Sequence, residues 1–186
     1  MRVAKRAAAL LLAVASTAVA ACGDQRPQPR PSGGVSEPRD VARGDGSRED
    51  LASLRFVAST LDGGSIDTTE LIGREPVAFW AWAPWCPTCN REAPTVRDAI
   101  AQHGGAVRLV GVPGRDGTER MRIFVERHDL GSIPHAVDGD GALWTRLGVR
   151  GQPTWVLVDR AGNVERLVGL ASAADLDERL RALAAS

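Results

Sequence analysis

Residues 76–82 read Pro-Val-Ala-Phe-Trp-Ala-Trp, and after Ala83-Pro84-Trp85 the chain reaches Cys86-Pro87-Thr88-Cys89. A nearly continuous apolar run of this length suits a strand buried on both faces. Proline is tolerated in the first turn of a helix, where its missing N–H has no partner to lose. A helix is therefore predicted from Cys86 to about Gln102, with Ala93, Val96 and Ile100 on one face. A buried strand that feeds a helix, with a thiol at the joint, is the strongest constraint on the fold.

The other segments extend this pattern. Asp62-Gly63-Gly64 is a turn signal between two short strands within residues 54–71. Residues 106–112 read as a second buried strand, and residues 118–130 as an amphipathic helix closed by Gly131. A short strand near residues 135–137 and a short helix near 142–147 are predicted next. Residues 154–159 and 164–170 flank Arg160-Ala161-Gly162-Asn163, a hairpin. The last helix begins after Ser172, a residue type that caps helix N-termini. Strands alternating with helices, closed by an antiparallel hairpin, argue for an α/β fold with a mixed sheet.

The first residues do not fit that fold. Arg2, Lys5 and Arg6 precede an apolar run from Ala7 to Ala21. The run is short for a membrane span, which needs about 20 apolar residues. A basic head, a short apolar body and small residues at the end describe a secretory signal over residues 1–21. Val19-Ala20-Ala21-Cys22 resembles the bacterial lipobox, in which the cysteine is lipidated and becomes the mature N-terminus. An ordinary cleaved signal with a stray cysteine and an uncleaved anchor are the alternatives. Residues 22–50 are rich in Pro, Gly, Arg and acids and poor in apolar residues, so they read as a disordered tether. The folded domain is expected over residues 51–186.

Cysteine usage agrees with an exported chain. Disulfides persist outside the cytoplasm, and a lipid on Cys22 would leave Cys86 and Cys89 as the one pair. The chain carries 23 basic and 23 acidic residues, so it has no overall electrostatic footprint for nucleic acid.

At the N-terminus of a helix, free N–H groups and the positive end of the dipole stabilise a thiolate. The two-residue spacing lets Cys89 reach back to Cys86, which gives a reversible redox pair: Cys86 attacks and Cys89 resolves. No metal or other cofactor is expected beyond that pair. A structural zinc site wants four ligands, and His103, His128 and His135 show no paired spacing. Haem attachment would need histidine where Asn90 stands. A purely structural disulfide would close a very short loop and constrain the unfolded chain little.

The stretch from Phe79 to Pro94, Phe-Trp-Ala-Trp-Ala-Pro-Trp-Cys-Pro-Thr-Cys-Asn-Arg-Glu-Ala-Pro, resembles the active site of the thioredoxin superfamily, and most of all its extracytoplasmic TlpA/ResA/DsbE branch. The likeness runs from about Leu51 to the C-terminus. It implies a thioredoxin fold, with a mixed central sheet flanked by helices and an N-terminal β-hairpin. It implies an exposed nucleophile at Cys86, a buried resolving thiol at Cys89, an aromatic neighbour at Trp85 and a helix-kinking Pro94. Glu92 matches an acid that this branch keeps near the disulfide to move protons; a solvated helix glutamate is the alternative. From sequence alone Pro153 is a strand opener, whereas the resemblance implies a cis-proline facing the cysteines. Gln152 would then offer its backbone to the substrate chain. Thioredoxin itself carries a buried aspartate where Trp80 stands, with a lysine partner, and Lys5 is the only lysine here.

The tryptophan-rich motif is similar to secreted DsbE- and DsbF-type oxidoreductase lipoproteins. The resemblance therefore implies an extracytoplasmic thiol:disulfide oxidoreductase, anchored to the bacterial membrane through Cys22 and oxidising thiols of exported proteins. A membrane redox protein would recycle it. A dedicated reductant, for example in cytochrome c maturation, uses the same motif in the opposite direction. A non-catalytic lipoprotein that binds a partner or copper is the reading from another class. Peroxidatic thiols usually sit in Thr-x-x-Cys, whereas Cys86 follows Ala83-Pro84-Trp85.

Overall fold

The structure is a computed structural model and describes residues 48–169 and 172–186. The expected signal sequence, Cys22 and the tether up to residue 47 lie outside the described residues. Helix α1 (Arg48–Ser53) begins three residues before the expected domain start. It leads into β1 (Val57–Ser59) and β2 (Ser65–Asp67), an antiparallel pair that turns at Asp62-Gly63-Gly64. Thr68 is fully buried and ties this hairpin down. Its hydroxyl accepts from the Phe56 N–H at 2.8 Å and lies 2.7 Å from the Leu54 carbonyl.

The second sheet has the order β4–β3–β5–β6. Strand β3 (Val77–Trp82) lies parallel to β4 (Arg108–Pro113) and antiparallel to β5 (Thr154–Val158). Strand β6 (Val164–Val168) closes the antiparallel hairpin with β5. The sheet is thus mixed, as the sequence pattern requires.

All six residues of β3 are buried because both faces are covered. Side chains alternate along a strand. Phe79 therefore faces Phe56, with ring centroids 5.9 Å apart, on one side. On the other, Trp80 and Trp82 stack on each other and pack on Phe124 of α3 (Thr118–Arg127). Helix α2 (Pro87–His103) packs against α5 (Ala173–Ala184), and His103 Nε2 lies 2.9 Å from Asp177 Oδ1 between them. The Ser172 hydroxyl caps α5 by accepting from the Asp175 N–H at 3.1 Å.

One expectation is adjusted. Residues 135–137 form bridges rather than a strand: they pair with Thr60 on one side and Gly111 on the other. The short helix α4 (Ala142–Arg146) follows. Its first turn is held by Asp138, whose carboxylate accepts from the Leu143 and Trp144 N–H groups, both at 2.8 Å. Among the described residues no helix is long and apolar enough to cross a membrane.

Candidate active site

Strand β3 ends at Trp82, and Ala83-Pro84-Trp85 carries the chain up to α2. Cys86 occupies the N-cap of that helix with extended backbone angles, φ −79° and ψ 114°. Its N–H donates to the Ala83 carbonyl at 3.1 Å. Its sulfur accepts from the Cys89 N–H at 3.1 Å, so the thiol does the work usually done by a Ser or Asp side chain at this position. Pro87 fills the first helical position, where no N–H is missed. The strand therefore aims the thiol, and the helix supplies it with a donor.

Cys86 and Cys89 are both free thiols and both buried. The expectation of an exposed nucleophile is corrected: Cys86 is only 3 % exposed, against 0 % for Cys89. The segment before β5 covers it. The Gln152–Pro153 peptide bond is cis, and the Gln152 carbonyl lies 4.0 Å from Cys86 Sγ. Pro153 is buried, and its carbonyl accepts from the Gly169 N–H at 2.9 Å. The exposed apolar residue at the site is Trp85, at 51 %, whose indole N–H reaches the Arg115 carbonyl at 3.3 Å. A cavity of about 630 Å³ lies against β5, β6 and α5, and neither cysteine lines it.

Burial pushes the Cys89 thiol up from its ordinary range, and the Cys86 side chain and the Glu92 charge push the same way; a backbone hydrogen bond at Ala83 opposes them. Desolvation favours the neutral thiol. Cys89 therefore holds its proton more tightly than an ordinary thiol.

Glu92 is fully buried, so the alternative of a solvated helix glutamate is set aside. Its two oxygens accept from two indoles, Trp80 Nε1 at 3.0 Å and Trp155 Nε1 at 2.9 Å. Glu92 stands three positions after Cys89, on the same face of the helix. Pro94 is inside α2, which runs on to His103. Trp80 thus comes from β3, and the buried acid it binds comes from α2.

Sequence reasoning passed over Trp155 and the pair Asn90 and His128. Trp155 stands directly opposite Trp80 across the β3–β5 ladder, a register no sequence signal exposes. Asn90 Nδ2 donates to the carbonyls of Pro84 and Cys86 at 3.3 and 2.9 Å, and its Oδ1 lies 3.1 Å from His128 Nε2. Asn90 was legible only as the residue after the second cysteine. Among the described residues no three His, Cys, Asp or Glu side chains gather as a metal site would need.

Residues 52–167 match the AhpC/TSA family. The chain is 36 % identical over 127 residues to soluble secreted antigen MPT53 of Mycobacterium tuberculosis, covering 68 % of this chain and 71 % of that protein. It is 35 % identical over 109 residues to the thiol:disulfide interchange protein DsbE of Escherichia coli K12, covering 57 % of this chain but 54 % of DsbE. The structure of MTB dsbF, in mixed oxidised and reduced forms, superposes with a TM-score of 0.67 at 41 % identity, over 71 % of this chain and 97 % of that one.

Proposed function

The chain belongs to the AhpC/TSA family of thioredoxin-like proteins, and from that premise we propose that it works outside the cytoplasm and introduces disulfides into exported proteins. It is an enzyme, a thiol:disulfide oxidoreductase of the DsbE/MPT53 type with a thioredoxin fold. The observation that carries the proposed direction is the N-cap. The Cys86 sulfur, held at the start of α2, already receives the Cys89 N–H at 3.1 Å. A Cys86 sulfur that completes the helix cap while the pair is in its dithiol form favours the reduced pair. An enzyme whose reduced form is stabilised is an oxidant.

In this reading the pair starts as a disulfide. A substrate thiolate attacks Cys86 Sγ; the Cys86–Cys89 bond breaks, and its electron pair leaves on Cys89, which takes up a proton. A second substrate thiolate then attacks the substrate sulfur of the mixed disulfide and releases Cys86 as a thiolate. The substrate has lost two electrons and gained a disulfide, and the enzyme holds both electrons. Glu92, one helical turn from Cys89, is the proton carrier for that thiol. Trp85 offers an exposed apolar face to the substrate, and the Gln152 backbone offers it hydrogen-bonding groups. The reduced pair must pass its electrons to a membrane redox protein. A lipid on Cys22 would keep it beside that partner.

The reduction potential of the Cys86–Cys89 pair tests the direction, followed by tryptophan fluorescence in glutathione buffers. A value near about −120 mV, in the range of strong oxidants, is the expected outcome. A value near roughly −270 mV overturns the direction and makes the protein a reductant.

A further inference from the structure

The cross-strand register of the sheet brings together two buried indoles and one buried carboxylate. Trp80 on β3 faces Trp155 on β5 in an antiparallel ladder, so both side chains rise on the same face. Their rings lie nearly parallel, 29° apart in tilt with centroids 6.2 Å apart. Each directs its one N–H donor to a different oxygen of Glu92, at 3.0 and 2.9 Å. Tryptophan has no acceptor to offer in return. The arrangement therefore suits a carboxylate acceptor, and donors to a charged acceptor make the stronger hydrogen bonds.

We propose that Trp80 and Trp155 act together as positioning residues, fixing the Glu92 carboxylate one helical turn from Cys89 as the group that accepts and returns the Cys89 proton. This rests on the oxidoreductase reading above. When exchange breaks the Cys86–Cys89 bond, the electron pair goes to Cys89 Sγ, and the proton on Glu92 passes to that sulfur. When the disulfide re-forms, the carboxylate takes the proton back. The Cys89 thiolate then attacks Cys86 Sγ in the mixed disulfide and expels the partner thiolate.

Strands β3 and β5, Val77–Trp82 and Thr154–Val158, carry no ionisable residue. Helix α3 turns Met121 and Phe124 inward; His128 packs on Phe124 with centroids 4.4 Å apart, and His135 meets Trp82, which stacks on Trp80, edge-on at 5.8 Å. On α2, Cys89 feels the Glu92 charge. Two neutral donors are thus what the sheet supplies to set how readily Glu92 gives up its proton.

The test follows a reduced protein attacking an aromatic disulfide. The second aromatic thiol released, in the phase that Cys89→Ala loses, reports resolution by Cys89. Its rate should rise with pH through one inflection that Glu92→Gln abolishes. Trp80→Phe and Trp155→Phe each remove one donor, so the inflection should move up by about one pH unit. A structural role alone would change the rate by the same factor at every pH. An unmoved inflection in folded variants overturns the proposal. If those variants do not fold, the unaltered chain decides. The indole N–H resonances of Trp80 and Trp155 should titrate together at the kinetic inflection. A reversible redox couple with flat indole signals overturns the positioning role and leaves the oxidoreductase reading standing. No couple at all removes that reading, and this role with it.

Discussion

Cys86 and Cys89 differ in what surrounds them more than in how far they are buried. Cys86 caps a helix and receives an N–H; Cys89 receives burial and the nearby Glu92 charge. With Cys86→Ser, the Cys89 thiol should alkylate many-fold more slowly at pH 8 than an unstructured thiol, because burial keeps it protonated and covered. Peptide mapping after timed iodoacetamide exposure reads this out. Comparable rates would mean that the pocket around Cys89 opens freely. The converse variant, Cys89→Ala, should trap mixed disulfides through Cys86, visible on non-reducing gels and lost in the double variant. At this scale the sequence was highly informative. Two cysteines, a proline and a tryptophan in fixed spacing left little freedom for the site. It did not reveal the cover over Cys86. That cover comes from Gln152, 66 positions away in the chain, and no local pattern encodes such an approach.

At the scale of elements, the segment from Leu130 to Asp138 shows what patterning leaves out. It was expected to contain a strand, yet it fastens to its neighbours by single bridges and by His135. The imidazole is buried, donates from Nε2 to the Leu130 carbonyl at 2.9 Å, and meets the Trp82 ring edge-on. Gly111 on β4 leaves the room: a Cβ there would sit 2.0 Å from His135 Nδ1. Gly111→Ala should therefore cost about 1–3 kcal/mol in urea unfolding, because the ring must shift in a filled core. A change within error would show that the segment yields without strain.

The same ring makes stability fall in acid. Burial holds His135 below its ordinary value of 6.5, against the pull of the Leu130 carbonyl and Asp62. Below pH 6.5 the unfolded chain binds a proton that the folded ring refuses, so unfolding gains from acid. His128 is shifted the same way, by burial and by Arg127. The urea midpoint should drop between pH 7 and 5, and His135→Phe should make that drop shallower. An equal drop in the variant would assign it to other groups. The strands and helices that do follow the sequence are those with an unbroken apolar run, β3 and β5, or an amphipathic pattern, α2 and α5. The bridges at His135 depend on a glycine in another strand, which no window of neighbouring residues contains.

Across the whole molecule, the redox direction and the folding stability are one quantity seen twice. A thermodynamic cycle joins oxidised and reduced forms, folded and unfolded. If the folded protein has a higher potential than its own unfolded chain, folding must stabilise the dithiol more than the disulfide. Each 30 mV of difference corresponds to about 1.4 kcal/mol for this two-electron couple. The fold offers reasons for such a preference on the reduced side. The Cys86 sulfur completes a helix cap, and buried Cys89 stays protonated. The proposed oxidant should therefore unfold at a lower temperature, or at lower urea, with the disulfide formed than with it reduced. That is opposite to the usual effect of a cross-link, which stabilises by constraining the unfolded chain. Scans of the same preparation in the two states, at one pH, settle the sign without any knowledge of substrate. A more stable oxidised form would reverse the proposed direction, because a pair that folding holds as a disulfide gives electrons away.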